Sequence, residues 1–229
     1  MIKHVFFDLD RTLWDFETNS HATLLEIYND YNLEKKGVLS HEDFINTYKI
    51  HNENLWDLYR IDKISQKHLR RERFQITLKD FGINDLKLSE KIGEDYIKIC
   101  PKKNNLYPYT IEILNYLKDK YKLHIITNGF HKTQHVKLEH AKIKQYFNLI
   151  ITSEKTGVKK PNPEIFKQSL NLAKAQKEES VYIGDDLIID ILACQKIGID
   201  GIYFNPEKKT HKEDVAFEIS CLSEIKQIL

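Results

Sequence analysis

Residues 4–13, with the sequence HVFFDLDRTL, constrain the fold of this chain more than any other segment. They begin with an unbroken run of β-branched and aromatic residues at positions 5–7. Such a run predicts a strand covered on both faces, as in a parallel sheet. Asp8 and Asp10 follow where this strand would end, and in extended chain they point to the same side. Because two carboxylates at such a short distance repel each other, a divalent cation or a proton must hold them there.

A pair of aspartates at this spacing suits phosphoryl transfer. One carboxylate can attack phosphorus and form an aspartyl phosphate. The other can protonate the leaving oxygen and then take a proton from water. The alternative is a helix cap or a strand-end turn, in which aspartate is also common. Other polar segments of the chain are needed to choose between the two interpretations.

Length and composition restrict the class of protein. The 229 residues, 41% hydrophobic and 30% charged, suffice for one domain or a domain with an insertion. A net charge of +1 predicts no general attraction for nucleic acid or membrane, and no apolar run approaches the roughly 20 residues of a membrane span. We expect no signal peptide before the first strand, and three distant cysteines suggest neither disulfides nor zinc. We therefore expect a cytoplasmic protein.

Residues 15–101 differ from the rest of the chain because their apolar residues follow helical spacing. Four amphipathic helices joined by short loops predict a small bundle. The expected N-caps of the second, third and fourth helices are Ser40, Ser65 and Ser89. We therefore predict a catalytic core of residues 1–14 and 102–229, with residues 15–101 inserted as a helical cap that acts as a lid.

Strands and helices alternate after Pro108, which predicts an α/β fold with a doubly wound parallel sheet. Four further strands are predicted at residues 123–126, 149–151, 181–183 and 201–204, and a closing helix at residues 222–229. In such a sheet, ligands bind outside the carboxyl ends of the strands. The polar residues expected at that edge, besides the first two aspartates, are Thr127, Asn128, Lys160, Asp185 and Asp190.

Four segments, in order, resemble the motifs of the haloacid dehalogenase-like (HAD) hydrolase superfamily. They are FDLDRTL at residues 7–13, ITNG at 126–129, Lys160-Pro161, and GDDLIID at 184–190. The resemblance covers the whole chain, including a helical cap after the first motif, and implies a Rossmann-like HAD core. The chain departs from the usual first motif only in having Arg11 where glycine is common, at a position that varies in the family.

The resemblance implies a role for each of the acidic residues. Asp8 would be the nucleophile and Asp10 the general acid and base. Mg²⁺ would bridge Asp8, the main-chain carbonyl of Asp10 and the carboxylate of Asp185. Because dehalogenases of this superfamily lack the second aspartate, Asp10 favours a phosphatase or a phosphomutase.

The same resemblance implies a phosphate site. Thr127 would bind a phosphoryl oxygen through its hydroxyl and Asn128 through its main-chain N–H, while Lys160 would neutralise the nucleophile and the phosphoryl group. Asp190 would hold Lys160 or a metal-bound water. Thr12, like Asp190, would support the metal ligands without binding the metal itself.

Three alternatives stay open at these positions. Lys159 stands beside Lys160, and the proline that follows favours Lys160. Thr127 can be a strand-end cap, and Asp186 can be a helix N-cap instead of a metal ligand.

Segments of the predicted cap and of the loop after the first strand indicate the class of substrate. TLWDF at residues 12–16, NENLW at 52–56 and Arg73-Phe74 resemble the pyrimidine nucleoside 5'-monophosphate phosphatase branch. The expected substrate is therefore a small phosphorylated metabolite, a nucleotide, and not a nucleic acid polymer. The alternatives are a sugar phosphate or phosphoglycolate phosphatase and, from another class, a non-catalytic binding protein on the same fold.

Four side chains are candidates for substrate contact. Trp14 can stack on a base or pack between core and cap, and Trp56 can contact substrate or belong to the cap interior. Asn52 offers hydrogen bonds to a base edge, and Arg73 can reach the substrate or pair with a neighbouring acid.

Overall fold

The computed structural model describes residues 1–229, which divide into two compact units. The first unit consists of Met1–Phe16 and Asn104–Leu229, and the second of Glu17–Lys103. All strands belong to the first unit, whereas the second is helical.

One parallel sheet of six strands forms the first unit. The strands are β1 (His4–Phe7), β2 (Lys122–Thr127), β3 (Phe147–Thr152), β4 (Ser180–Gly184), β5 (Asp200–Phe204) and β6 (Phe217–Ile219). Their order in the sheet is β3-β2-β1-β4-β5-β6, and every pair is parallel. The predicted class, an α/β fold with a doubly wound parallel sheet, is confirmed.

Strand β1 lies at the centre of this sheet, and all of its residues are buried. Val5 pairs with Leu123 of β2 on one side and with Val181 of β4 on the other. The chain builds outwards from β1 to β2 and β3 and then crosses to β4, so the strand order reverses beside β1. In open α/β sheets this reversal opens a crevice at the carboxyl ends of the strands, where ligands bind.

Four helices make up the second unit: α1 (Phe16–Asp30), α2 (His41–Arg60), α3 (Gln66–Asp80) and α4 (Leu86–Ile99). The helix α1 begins one residue before this unit does. No helix anywhere in the chain is both long and apolar enough to cross a membrane.

Two of the three predicted N-caps are confirmed. Ser40 Oγ accepts a hydrogen bond from Asp43 N at 3.1 Å, and Ser65 Oγ accepts one from His68 N at 3.2 Å. The prediction at Ser89 was wrong, because α4 begins about one turn earlier, at Leu86, with Asp85 as its N-cap. The carboxylate of Asp85 accepts from Leu88 N at 3.0 Å, and aspartate is among the strongest N-caps.

The remaining helices are α5 (Thr110–Lys118), α6 (His131–His140), α7 (Ser153–Thr156), α8 (Glu164–Ala173) and α9 (Leu192–Gln195). The alternation of strands and helices predicts a helix between β4 and β5. The structure instead has a π-helical turn at Leu187–Ile191 followed by the short α9.

The C-terminal segment differs from the prediction in two places. Strand β6 was not predicted, because three residues at a sheet edge carry too little alternation to stand out. The predicted closing α-helix is a 3₁₀ helix, Leu222–Gln227.

The core of the sheet unit includes a cluster of large side chains from the central strands and α8. Phe6 and Tyr182 are fully buried there, and the ring of Phe166 meets that of Tyr182 edge-on at 5.2 Å. Burial of each such side chain contributes roughly 1.5–3 kcal/mol. This packing holds β1 and β4 in register, and therefore holds the residues that follow them.

Two histidines are buried side by side in the central strands. His4 Nδ1 lies 3.1 Å from His124 Nε2, and the His124 ring stacks on Phe6 at 4.7 Å. Burial, reinforced by the nearby His4 and Lys122, lowers the pKa of His124 to about 4. His124 is therefore neutral in the folded protein at neutral pH.

This pair predicts a loss of stability in weak acid. Between pH 6.5 and about pH 4, His124 binds a proton in the unfolded chain but not in the folded protein. The free energy of unfolding therefore falls as pH falls. We expect His124→Gln to remove about 2 kcal/mol of that acid dependence. Urea denaturation at several pH values measures it, with exposed His140→Gln as the control. Parallel pH curves for wild type and His124→Gln would contradict the prediction.

Candidate active site

The carboxyl ends of three adjacent strands bring polar side chains together. Thr127 ends β2, Asp8 follows β1 and Asp185 follows β4, in the order in which these strands lie in the sheet. The hydrogen bond from Asp8 N to Ile183 O, 2.9 Å, continues the pairing of β1 and β4 past the end of the strand. Residues distant in the sequence therefore meet because parallel strands end at the same edge.

The ammonium of Lys160 lies at the centre of this edge and is buried. Its Nζ is 2.6 Å from Asp8 Oδ1 and 2.6 Å from Asp190 Oδ1. It donates a third hydrogen bond to the hydroxyl of Tyr182, at 2.9 Å. The three donors of the ammonium are thus all used, and two of them bind carboxylates.

The charges of this group are set by burial and by one another. Burial raises the pKa of Asp8 to about 7, although Lys160 acts in the opposite direction. Burial alone would lower the pKa of Lys160, but the carboxylates of Asp190 and Asp8 raise it above its usual range. Lys160 is therefore a permanent positive charge beside Asp8.

The side chain of Asn128 holds the main chain of Lys160. Asn128 Nδ2 donates to Lys160 O at 2.9 Å, and Lys160 N donates to Asn128 Oδ1 at 2.8 Å. These two bonds tie the loop after β3 to the end of β2. The sequence suggested a phosphate contact for the Asn128 main chain, and the structure adds this second task for its side chain.

Asp190 reaches the site from the π-helical turn. Its Oδ2 accepts from Asp186 N at 3.2 Å, and a Cβ at position 184 would overlap the Asp190 carboxylate. Glycine is therefore required at the end of β4 for this close approach. Asp186 is a cap, since its Oδ1 accepts from Ile188 N and Ile189 N at 3.0 and 2.8 Å.

Carboxylate oxygens of Asp8, Asp185 and Asp190 all lie within 4.8 Å of one another. Thr12 Oγ1 donates to Asp185 Oδ1 at 3.0 Å. Burial, followed by repulsion from Asp190 and Asp8, raises the pKa of Asp185 well above its usual range. The raised pKa values of Asp8 and Asp185 indicate that these carboxyl groups lack compensating positive charge. Hard oxygen ligands of this kind fit a bound Mg²⁺, which would supply that charge.

The observed carboxylate cluster differs from the predicted ligand set at Asp190. Each carboxylate oxygen of Asp10 accepts a hydrogen bond from a side chain of α6, and these bonds do not involve the main-chain carbonyl that is its predicted metal ligand. Asp190 was predicted to lie behind the ligands, yet it stands inside the cluster. Its Oδ1 is nevertheless occupied by Lys160 and its Oδ2 by Asp186 N, which agrees with a supporting position.

Thr127 is oriented by two donors. Its Oγ1 accepts from Gly129 N at 3.0 Å and from Gln134 Nε2 at 2.7 Å. With both acceptor positions filled, the hydroxyl hydrogen is free to be donated. This geometry suits the binding of a phosphoryl oxygen.

Sequence analysis missed two functional candidates on α6, Gln134 and Lys137. Gln134 Nε2 donates to Asp10 Oδ2 at 2.9 Å, and Lys137 Nζ donates to Asp10 Oδ1. Both side chains are buried. Their signal was available in principle, because two polar residues three apart occupy the apolar face of a helix that follows the second motif.

Trp14 cannot stack on a base in this structure, because its side chain is fully buried. It forms isolated bridges with Asp10 and Leu106, and its ring faces Lys137 Nζ at 4.3 Å. Burial of the Trp14 side chain favours the packing alternative over stacking on a base.

The candidate substrate residues of the second unit are partly reassigned. Asn52 and Arg73 are buried together, with Arg73 Nη1 3.4 Å from Asn52 Oδ1 and the guanidinium 4.7 Å from the Tyr96 ring centroid. Arg73 therefore does not form the surface ion pair considered from the sequence, and its Nε is buried without a hydrogen-bond partner. Trp56 is half-buried and meets the ring of Tyr59 edge-on at 5.5 Å.

Known proteins share this architecture. A family model described as haloacid dehalogenase-like hydrolase matches residues 5–204. The pyrimidine 5'-nucleotidase YjjG of Escherichia coli is 31% identical over 228 residues, 98% of this chain and 96% of YjjG. A glyceraldehyde 3-phosphate phosphatase of Methanothermobacter thermautotrophicus is 29% identical, covering 100% of this chain and 98% of that enzyme.

A solved structure extends the likeness to three dimensions. The HAD-hydrolase YfnB of Bacillus subtilis superposes with a TM-score of 0.89 at 26% identity, covering 99% of this chain and 98% of YfnB.

The arrangement around Lys160 predicts that its loss is costly. In Lys160→Met the carboxylates of Asp8 and Asp190 remain buried without their cation, and we expect the free energy of unfolding to fall by about 3 kcal/mol. Urea denaturation in excess chelator measures the change. Exposed Lys155→Met is the control and should change stability by less than about 0.5 kcal/mol. Equal effects at the two lysines would contradict the assignment.

Proposed function

Since this chain belongs to the haloacid dehalogenase-like hydrolases, we propose that it is a phosphomonoesterase acting through an aspartyl phosphate on Asp8. One observation carries the proposal: a buried Asp8 is paired with Lys160 at the carboxyl end of the central strand, and a second carboxyl, Asp10, follows two residues later. Dehalogenation does not use that second carboxyl group, whereas hydrolysis of a phosphate ester needs a general acid and a general base.

The chemistry divides among the residues of this site. Asp8 attacks phosphorus, the bond from phosphorus to the ester oxygen breaks, and Asp10 gives a proton to the leaving oxygen. Asp10 then takes a proton from water as the water attacks the aspartyl phosphate, which releases phosphate and restores Asp8. Thr127 and the main-chain N–H of Asn128 would bind phosphoryl oxygens, and Lys160 offsets the negative charge that gathers as Asp8 approaches the anion.

Asp8, Asp185 and the main-chain carbonyl of Asp10 would hold Mg²⁺, with Asp190 and Thr12 supporting them. When bound, Mg²⁺ would neutralise charge on the carboxylates and on the transferring phosphoryl group. Support comes from the cluster of carboxylate oxygens and from YfnB, whose crystal structure contains magnesium.

Metal dependence gives a direct prediction. Excess chelator should abolish phosphatase activity, and Mg²⁺ should restore it, because the negative charge of the site would otherwise repel the phosphate ester. Ca²⁺ should not restore activity, since it prefers more ligands at longer distances. Release of inorganic phosphate is the measurement. Full activity in excess chelator would refute the metal site.

We propose that the substrates are nucleoside 5'-monophosphates, with pyrimidines preferred. The support is the likeness to the pyrimidine 5'-nucleotidase of Escherichia coli along the full chain. The residues of the sheet unit named above act on the phosphate and the metal, so selection belongs to the helical second unit, acting as a cap. YfnB, whose structure records interdomain movement, supports a mobile cap. Asn52 and Arg73 would recognise the base only if the substrate reached the interior of the helical unit, because both side chains are buried there.

A second candidate function is supported by the archaeal glyceraldehyde 3-phosphate phosphatase, which matches this chain along its whole length. A sugar phosphate or phosphoglycolate would meet the same core residues. The two candidates therefore differ in the leaving group and not in the chemistry at phosphorus.

A substrate panel separates them. We expect kcat/KM for UMP, dUMP and dTMP to exceed that for AMP, and to exceed that for phosphoglycolate, glyceraldehyde 3-phosphate and hexose phosphates by about tenfold or more, or about 1.4 kcal/mol of transition-state discrimination. Asp8→Asn, which keeps the shape and loses the attacking charge, should abolish turnover of every substrate. A sugar phosphate ahead of all nucleotides would leave the phosphatase proposal standing and reject the nucleotidase.

A further inference from the structure

Both carboxylate oxygens of Asp10 are held by side chains of one helix, α6. Lys137 Nζ donates to Oδ1, and Gln134 Nε2 donates to Oδ2 at 2.9 Å. Two bonds on opposite oxygens prevent the carboxyl group from rotating about its own axis. Each oxygen still has a second lone-pair position that can carry a proton.

The ammonium of Lys137 lies against two aromatic rings. Its Nζ lies 4.3 Å from the Trp14 ring centroid and 5.8 Å from that of Phe16, and the side chain is only 7% exposed. Aromatic faces stabilise a cation that has left water, and Asp10 is the one carboxylate that pairs with it. Because a buried ion pair adds little net stability compared with apolar packing, stability alone does not account for this lysine.

Gln134 links Asp10 to the proposed phosphate site. Its Nε2 also donates to Thr127 Oγ1 at 2.7 Å, so one amide group orients both side chains. A Cβ at position 129 would overlap that amide, and Gly129 therefore makes room for it. The other end of the amide, Oε1, is buried without a partner, which costs about 1–3 kcal/mol. The fold keeps this glutamine in spite of that cost.

We propose that Lys137 and Gln134 are positioning residues that orient the Asp10 carboxyl group for proton transfer to the leaving oxygen. In this step the O–H bond of Asp10 breaks and its proton joins the ester oxygen. That oxygen keeps the electron pair of the phosphorus–oxygen bond, while a new bond forms between Asp8 and phosphorus. The inference rests on the proposed phosphatase function and adds the two residues that orient its general acid, Asp10.

Leaving groups of different quality test this role. The alkoxide of a nucleotide must be protonated as it leaves, whereas p-nitrophenolate leaves readily as an anion. Since kcat/KM reports steps up to the departure of the leaving group, the ratio of kcat/KM for UMP to that for p-nitrophenyl phosphate isolates the proton transfer. Glyceraldehyde 3-phosphate replaces UMP if it proves the better substrate.

In Lys137→Met, which keeps the length of the side chain and removes the charge, both values should fall, and the ratio should fall at least tenfold. Gln134→Met should lower the ratio in the same direction, and Lys137→Arg should recover part of the loss. Exposed Lys132 lies on the same helix, and Lys132→Met is the matched control with an unchanged ratio. Thermal unfolding of each variant identifies any that fail to fold, in which case Lys137→Arg and Gln134→Met decide.

Equal losses for the two esters would show that Lys137 acts on the phosphate or on the fold, and would overturn the inference. An unchanged ratio in an active Lys137→Met enzyme would do the same. A wild type that hydrolyses neither ester overturns the proposed function as well, so the two failures are distinguishable.

Discussion

The ion pairs of one buried ammonium hold the site together. Lys160 reaches Asp8 and Asp190 at 2.6 Å each, and all three side chains are buried. Without it, carboxylates that meet within 4.8 Å would repel each other strongly. Much of the surrounding structure serves this contact: Asn128 holds the Lys160 main chain, and a glycine ends β4 so that Asp190 can approach.

Around this centre the two carboxyl groups proposed to act in catalysis are kept in different environments. Asp8 faces Lys160 on the sheet side, whereas Asp10 faces Lys137 and Gln134 of α6. Two aspartates only two residues apart can therefore take different parts in one reaction, as attacking group and as proton carrier. Gln134 then connects the proton carrier to Thr127, so the groups proposed to bind phosphate and to move the proton are oriented together.

The proposed division of labour between the two units follows from the same arrangement. The sheet unit supplies groups that suit a phosphate and a metal, and nothing in them distinguishes one ester from another. The helical unit holds a buried guanidinium next to an amide, Arg73 and Asn52, among aromatic rings. Relatives named for pyrimidine nucleotides and for glyceraldehyde 3-phosphate match this chain along its full length. This agrees with a common catalytic core and a helical unit that determines substrate specificity.

The sequence by itself determined the central strand, the parallel α/β class and the polar residues at the strand ends, because these depend on local apolar runs and on the edge where all parallel strands finish. It also predicted the caps at Ser40 and Ser65, which need only neighbours along the chain. Tertiary structure alone decided that Trp14 is buried, that Asp10 turns to Lys137 and Gln134, and that Asp190 stands among the carboxylates. Those outcomes depend on the contacts of α6 with Asp10 and of the π-helical turn with β4. Contacts between segments distant in the chain leave no pattern in either segment by itself.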